Sequence, residues 1–142
     1  MGKTKLLLPS KKIFSTTIKV RITDINYGNH IGNDSFVGIL HEARLQWLVA
    51  NNYSELNIGN AGLIMAALAV EFKNEGFYKD EITVELFCGD ITTVSFELYY
   101  QLKTIRNGNE IVLANAKTDM VCFDYEKRKV TALPTDFITL LN

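Results

Sequence analysis

An excess of basic charge is missing from this sequence. Lys and Arg number 15 against 16 Asp and Glu, a net charge of -1 at pH 7, and the cations are scattered along the chain. That excludes a nucleic-acid partner, whose binding needs a basic face to displace counterions. The densest cluster, EKRK at Glu126 to Lys129, reads as a solvated turn. Cysteine is also scarce. Cys88 and Cys122 both sit in apolar strand-like runs and form no CxxC or Cys/His spacing, so they read as buried structural thiols. The two histidines, His30 and His41, fall on different elements and not at ligand spacing with carboxylates, so no metal and no bound cofactor is expected. No apolar run approaches the length of a membrane span, and the N-terminal LLLP is too short for a secretory core. A soluble, cytoplasmic protein without a membrane span is expected.

What is present is enough for one core. At 142 residues, 47% hydrophobic and 11% aromatic, the chain is the size of one domain, able to bury roughly two-thirds of its unfolded surface. Residues 1–12 read as a flexible N-terminus and 13–142 as one domain. FSTTIKVRI, Phe14 to Ile22, alternates as a strand. Phe36, Leu40, Ala43 and Trp47 recur at helical spacing, and Val37, Ile39, Leu45 and Leu48 widen the apolar surface around most of that helix. Asn33, Asp34 and Ser35 are candidate N-caps, and Asn51-Asn52 a candidate end. Strands are expected at Ala61 to Phe72, Asp80 to Asp90, Thr92 to Ile105, Glu110 to Asp124 and Val130 to Leu133, the last closed by Pro134. Asn107-Gly108 marks a hairpin. The order gives an α+β domain of one long buried helix and an antiparallel sheet of five or six strands whose edges need cover, as dimerisation provides.

DINYGNHIGND, Asp24 to Asp34, joins the first strand to the helix. Were it extended, Asp24 and Asn26 would project to one face. Gly28 and Gly32 permit close approach to the backbone, and His30 can move a proton near neutrality. The loop ends at a helix N-terminus, whose free N–H groups favour a developing negative charge. These are the parts of an acyl-transfer site. They are also the parts of an ordinary turn into a capped helix.

Asp24, Asn26, Gly28, His30, Asn33 and the HEAR of His41 to Arg44 resemble the hotdog-fold acyl-CoA thioesterases, and more narrowly the 4-hydroxybenzoyl-CoA and YbgC-like branch. That branch carries D-x-D-x-x-G-H-x-N-N, an aromatic, then E-x-A-R on the central helix. Here Phe36 stands near the aromatic position, and Glu42-Ala43-Arg44 match the helix signature. The resemblance spans about residues 14–135. It implies the hotdog fold, with the sheet wrapped around the long central helix. It also implies hydrolysis of an acyl- or aryl-CoA thioester, CoA entering only as part of the substrate, and active sites at the interface of a homodimer or homotetramer. The chain departs from the pattern where the second family Asp is Asn26, and where an acidic residue of another hotdog branch falls near the inert Ile39. An amide cannot act as a base. The plant acyl-carrier-protein thioesterases combine an Asp, an Asn and a His in this loop, the residue types found here in a different order.

The expected catalytic set is therefore His30 as base, Asp24 orienting its ring, Asn26 holding water or carbonyl, and Glu42 as reserve base, unless Glu42 and Arg44 form a structural ion pair. Backbone N–H groups near Gly32 and Asn33 form the oxyanion hole, Tyr27 lines the mouth, and Ser95 faces the acyl pocket or is a plain strand serine. The phosphates of CoA would meet Lys73, Lys103 or Arg106. The alternative is a non-enzymatic acyl-CoA sensor or interaction module on the same fold, which the missing carboxylate favours. A hydratase has no recognisable constellation.

Overall fold

The computed structural model describes residues 5–142. Six strands form one antiparallel sheet: β1 Lys12–Lys19, β2 Gly62–Phe72, β3 Glu81–Ile91, β4 Ser95–Arg106, β5 Asn109–Asp124 and β6 Lys129–Val130. The order is β1-β3-β4-β5-β2, with β6 paired to the end of β5. Helix α1, Asn33–Ala50, crosses the inner face, and α2, Thr135–Leu141, closes one end.

Alternation sets the two faces. Ile82, Val84 and Leu86 of β3 and Phe96, Leu98, Tyr100 and Leu102 of β4 point inward and are buried. The outer face carries ion pairs across strands: Lys12–Glu85 at 2.8 Å, Lys103–Glu85 at 3.0 Å and Lys117–Glu97 at 2.7 Å. The hairpin joining β4 to β5 turns at Asn107 (φ 53°) and Gly108 (φ 77°), both left-handed, as a two-residue turn of matching twist requires. The EKRK segment is a turn whose first amides, of Glu126 and Lys127, donate to Asp124 Oδ1 at 3.0 Å. Cys88 and Cys122 are free and buried, and burial pushes both thiols up. Part of the expected flexible N-terminus, residues 1–4, lies outside the described residues; beyond it Lys11 O accepts from Cys88 N and Leu6 N donates to Glu71.

Three details differ from the sequence reading. The last strand is only Lys129–Val130, and beyond Pro134 the chain forms α2. Pro134 pre-sets the backbone for a helix start, and Phe137 and Leu141, one turn apart, are both buried. Second, α1 is wrapped on one side only. Phe36, Ile39, Leu40, Ala43, Trp47 and Leu48 are buried, while Val49 is exposed, because the single sheet covers one face of the helix. Third, the N-cap is Gly32, and no side chain caps the helix.

The segment between β2 and β3 supports the loop that carries His30. Ile31 N donates to Gly76 O at 2.7 Å, and Gly76 lies so close that an added Cβ would overlap Ile31. Arg106 holds this segment from β4. Its Nε donates to Asp80 Oδ1 at 3.2 Å, its Nη2 to Asp80 and to Glu75 O, and its guanidinium sits 4.7 Å over the Phe77 ring. Burial alone would raise the Asp80 carboxyl, but Arg106 and the Phe77 amide outweigh it and hold it below the usual range. A depressed carboxyl stabilises the fold above its unfolded pKa, and that contribution is lost as pH falls through the folded value. Asp80→Asn should therefore lower stability at neutral pH by about 1–3 kcal/mol. In urea titrations the gap between variant and wild type should begin to narrow below about pH 4 and close below the folded value.

Candidate active site

The first strand ends at Lys19, and Ile22–Asp24 form a 3-10 turn. The alternation assumed for an extended segment therefore fails, and Asp24 and Asn26 do not act together. Asp24 is buried, its Oδ2 accepting from Arg21 N at 2.8 Å with the Arg21 guanidinium 3.4 Å from Oδ1. The expected contact of Asp24 with His30 does not form. Asp24 serves the site through its carbonyl, which accepts from Gly32 N at 3.0 Å and fixes where α1 begins.

Asn26 and His30 do come together. Asn26 N donates to His30 O at 2.9 Å, and Asn26 Oδ1 accepts from Gly28 N at 2.9 Å, turning the chain back on itself. Asn29 at the tip is left-handed, φ 61°. The imidazole lies over Gly28, where an added Cβ would stand 2.8 Å from His30 Nε2 and 3.4 Å from Asn26 Oδ1. On the other side, an added Cβ at Gly32 would meet Asp34 Oδ1 at 2.8 Å and Asn26 Nδ2 at 3.9 Å. Both glycines thus keep bulk out of the space between Asn26, His30 and the helix start.

The ring's partner fixes its tautomer. His30 Nδ1 is 3.1 Å from Ile31 O, and a carbonyl only accepts, so Nδ1 is a donor and in the neutral ring the lone pair is on Nε2. A backbone carbonyl does what was expected of Asp24. His30, Asn33, Phe36, Phe72, Lys73 and Glu75 line a cavity of ≈ 230 Å³. At its base α1 begins without a side-chain cap, so its first N–H groups are free to meet an anion.

Other expected residues lie elsewhere. Glu42 accepts from Gln46 Nε2 at 2.8 Å and lines a second concavity with Asp24 and Arg21. Glu42 cannot pair with Arg44, because residues two apart face different sides of a helix. Tyr27 projects fully into solvent. Ser95 Oγ is hydrogen-bonded to Thr92 Oγ1 at 2.7 Å in the β3–β4 turn. Its neighbour Phe96 packs on Trp47, which lies ~21 Å along the helix from Asn33, so the serine stands toward the other end of α1 from His30. Of the three cations considered for CoA, Lys103 is held between Glu85 and Glu110 and Arg106 is locked to Asp80. Lys73 alone lines the His30 cavity, with only a 3.5 Å contact to Glu71.

A second polar group escaped the sequence reading. Arg44, almost fully buried, donates from Nε to Glu55 Oε2 at 2.9 Å and from Nη1 to Tyr100 Oη at 3.1 Å. Tyr100 Oη and Thr118 Oγ1 share a 2.7 Å bond, and His41 Nε2 donates to Glu55 Oε1 at 2.6 Å. Burial would raise the Glu55 carboxyl, but His41 and Arg44 hold it below its ordinary range. Burial likewise opposes the Arg44 charge, and Tyr100 and Glu55 overcome it. The available signal was an Arg on the apolar face of a helix, which is almost never buried unpaired.

Residues 20–141 match the model of the thioesterase-like superfamily. Among curated proteins none matches the sequence significantly. Among solved structures, the 1,4-dihydroxy-2-naphthoyl-CoA thioesterase of Synechocystis shares 24% identity over 90% of this chain and 94% of its own, with a TM-score of 0.80. A mutant 4-hydroxybenzoyl-CoA thioesterase complexed with 4-hydroxybenzoyl-CoA gives 15% identity, coverage of 91% and 98%, and a TM-score of 0.81. A Staphylococcus aureus protein in complex with CoA gives 18%, coverage of 97% and 85%, and 0.80. These likenesses, all below the level at which chemistry transfers, concern the fold. With the family match over 20–141, the antiparallel sheet around α1 is the hotdog fold, and the chain belongs to the thioesterase-like superfamily.

Proposed function

We infer that the protein hydrolyses an acyl- or aryl-CoA thioester to the free acid and CoA. One observation carries the reading: the His30 imidazole stands over Gly28 beside Asn26 and shares a cavity with Asn33 at the uncapped start of α1. A thioester carbonyl set against the free N–H groups of α1 would have its developing oxyanion stabilised there. Asn26 holds a water through its amide, and His30 Nε2 takes the water's proton as the oxygen bonds to the carbonyl carbon. The tetrahedral oxyanion then collapses, the C–S bond breaks, and the CoA thiolate recovers the proton from Nε2. Lys73 at the cavity edge suits the negative phosphates of CoA.

A thiol-release screen across short, long and aromatic acyl-CoAs tests the reading, and turnover of at least one is expected. The absent carboxylate at position 26 favours the second reading, an acyl-CoA sensor. That reading takes over if ligands raise the melting temperature while none is turned over.

Two copies joined through β2 would complete the site. Among the described residues this strand pairs only with β5, and it exposes Met65, Leu68 and Phe72. An apolar edge strand is a template for pairing with a second chain, and Phe72 lines the His30 cavity, which would then adjoin the partner. A lysine on the edge opposes such pairing. Ala66→Lys should shift the species seen by analytical ultracentrifugation from dimer toward monomer and lower thiol release with it. A wild type that sediments as a monomer would refute the shared site.

A further inference from the structure

We propose that a second cavity, between α1 and β2, receives the acyl part of the thioester, and that Arg44 there reads an oxygen at its far end. The proposal rests on the thioesterase reading above and specifies the acyl class that reading leaves open.

The cavity holds ≈ 340 Å³, walled by Val37, Leu40, Leu63, Met65 and Leu68, with Arg44 and Thr118 at its polar end. Arg44 uses Nε on Glu55 and Nη1 on Tyr100. Its third nitrogen, Nη2, makes no hydrogen bond among the described residues, and Arg44 lines the cavity, which leaves the Nη2 donors for a group bound there. A purely structural residue here has no need of a spare donor, since apolar side chains often replace buried ion pairs without loss of stability. A ligand supplying an acceptor gives that donor a use.

This cavity is in line with the reacting centre. Asn33, Phe36, Val37, Leu40, His41 and Arg44 recur at three- and four-residue spacing, one stripe along α1. The first two line the His30 cavity and the last four line the second. Strand β2 runs alongside, with Phe72 at the first and Leu68 and Met65 at the second. Phe36 and Phe72 meet edge to face at 5.3 Å where the two adjoin, and the half-exposed Phe72 ring offers a surface for the passing chain. The helix rises ~16 Å from Asn33 to Arg44, and a helical side chain leans back by about a turn, leaving ~11 Å between thioester and guanidinium.

Charge selects the oxygen. Glu55 already balances Arg44, so a second carboxylate would meet repulsion from Glu55, whereas a neutral hydroxyl or carbonyl accepts from Nη2 without net charge. The substrate class is a CoA thioester whose acyl or aryl group ends in a neutral oxygen, not a plain alkanoyl group and not a dicarboxylic one.

The test compares kcat/KM for 8-hydroxyoctanoyl-, octanoyl- and octanedioyl-CoA. The hydroxylated thioester should lead both others by about tenfold or more. In the paired variant Arg44→Met with Glu55→Met, which leaves neither charge buried alone, that preference should fall to near unity while octanoyl-CoA is still turned over. Equal or poorer use of the hydroxylated thioester by the wild type overturns the proposal, as does a preference that survives in the paired variant. Should the paired variant not fold, Val37→Trp fills the cavity and leaves the polar network intact. Turnover of the eight-carbon thioesters should then fall more than tenfold relative to butyryl-CoA, and an equal effect on both would overturn the assignment. If the wild type hydrolyses no thioester at all, the hydrolase reading fails by itself. The Arg44 assignment is then decided by calorimetry with non-hydrolysable thioether analogues of the same three acyl groups, through the same order of affinity.

Discussion

His30→Ala should reduce thiol release from the best acyl-CoA by about 10²–10⁴-fold, the range over which a positioned general base acts. The ring touches the loop through one bond, Nδ1 to Ile31 O, so the loss should appear in kcat with the melting temperature little changed. Asp24→Asn should behave in the opposite way. Its carboxylate serves Arg21 and the 3-10 turn, not the imidazole, so it should lower stability and leave the rate of the folded enzyme within a few fold. A full rate in the His30 variant would remove the base from the mechanism. Asn26→Asp is the sharper companion. The aspartate keeps the bond from Gly28 N but loses the amide that holds water, so no large gain is expected. A gain of orders of magnitude would mean that Asn26 marks a degenerate carboxylate site.

Phe137→Ala should destabilise the fold by about 3–5 kcal/mol, the usual range for deleting a buried phenyl group. That is a large part of the ~5–15 kcal/mol that holds a domain of this kind. The ring is fully buried and packs on Trp47 at 5.9 Å, Tyr53 at 5.2 Å and Phe96 at 5.5 Å. It joins the last helix to α1 and β4. Seven residues cannot hold a helix unaided, so α2 should detach once its anchor is gone. Urea unfolding followed by tryptophan fluorescence reads both effects, since Trp47 is the only tryptophan. A change below about 1 kcal/mol would show that α2 is an ornament.

The strands were legible because their two faces see different surroundings, and Asn107-Gly108 because only a few residues tolerate left-handed backbone. Helix α1 was legible from Phe36, Leu40, Ala43 and Trp47. What escaped depends on the third dimension. Helix α2 is two turns long, too short for its period to stand out beyond Pro134. The Arg44–Glu55 pair joins residues eleven apart on different elements, so no local pattern reveals it, while the adjacent letters of HEAR suggested Glu42 instead. Within the loop, the fold gathers His30, Asn26, Gly28 and Gly32 into one place. Asp24 stands apart from them in a way the letters do not show, because one short 3-10 turn moves it off the face it would share with Asn26 in a strand.

The bare beginning of α1 sets stability against use. A Ser, Thr, Asp or Asn at a cap is worth about 0.5–2 kcal/mol over Ala but only a few tenths over Gly, so Gly32 forgoes a few tenths. Gly32→Ser would restore a cap by seating a hydroxyl on the free amides that the proposed oxyanion needs, beside Asp34 and Asn26. Selection for thermal endurance alone would drive position 32 toward serine, and selection for turnover would return it to glycine. A library scored on both would set a small gain in stability at this residue, reduced by the approach of the new Cβ to Asp34, against a large loss of rate.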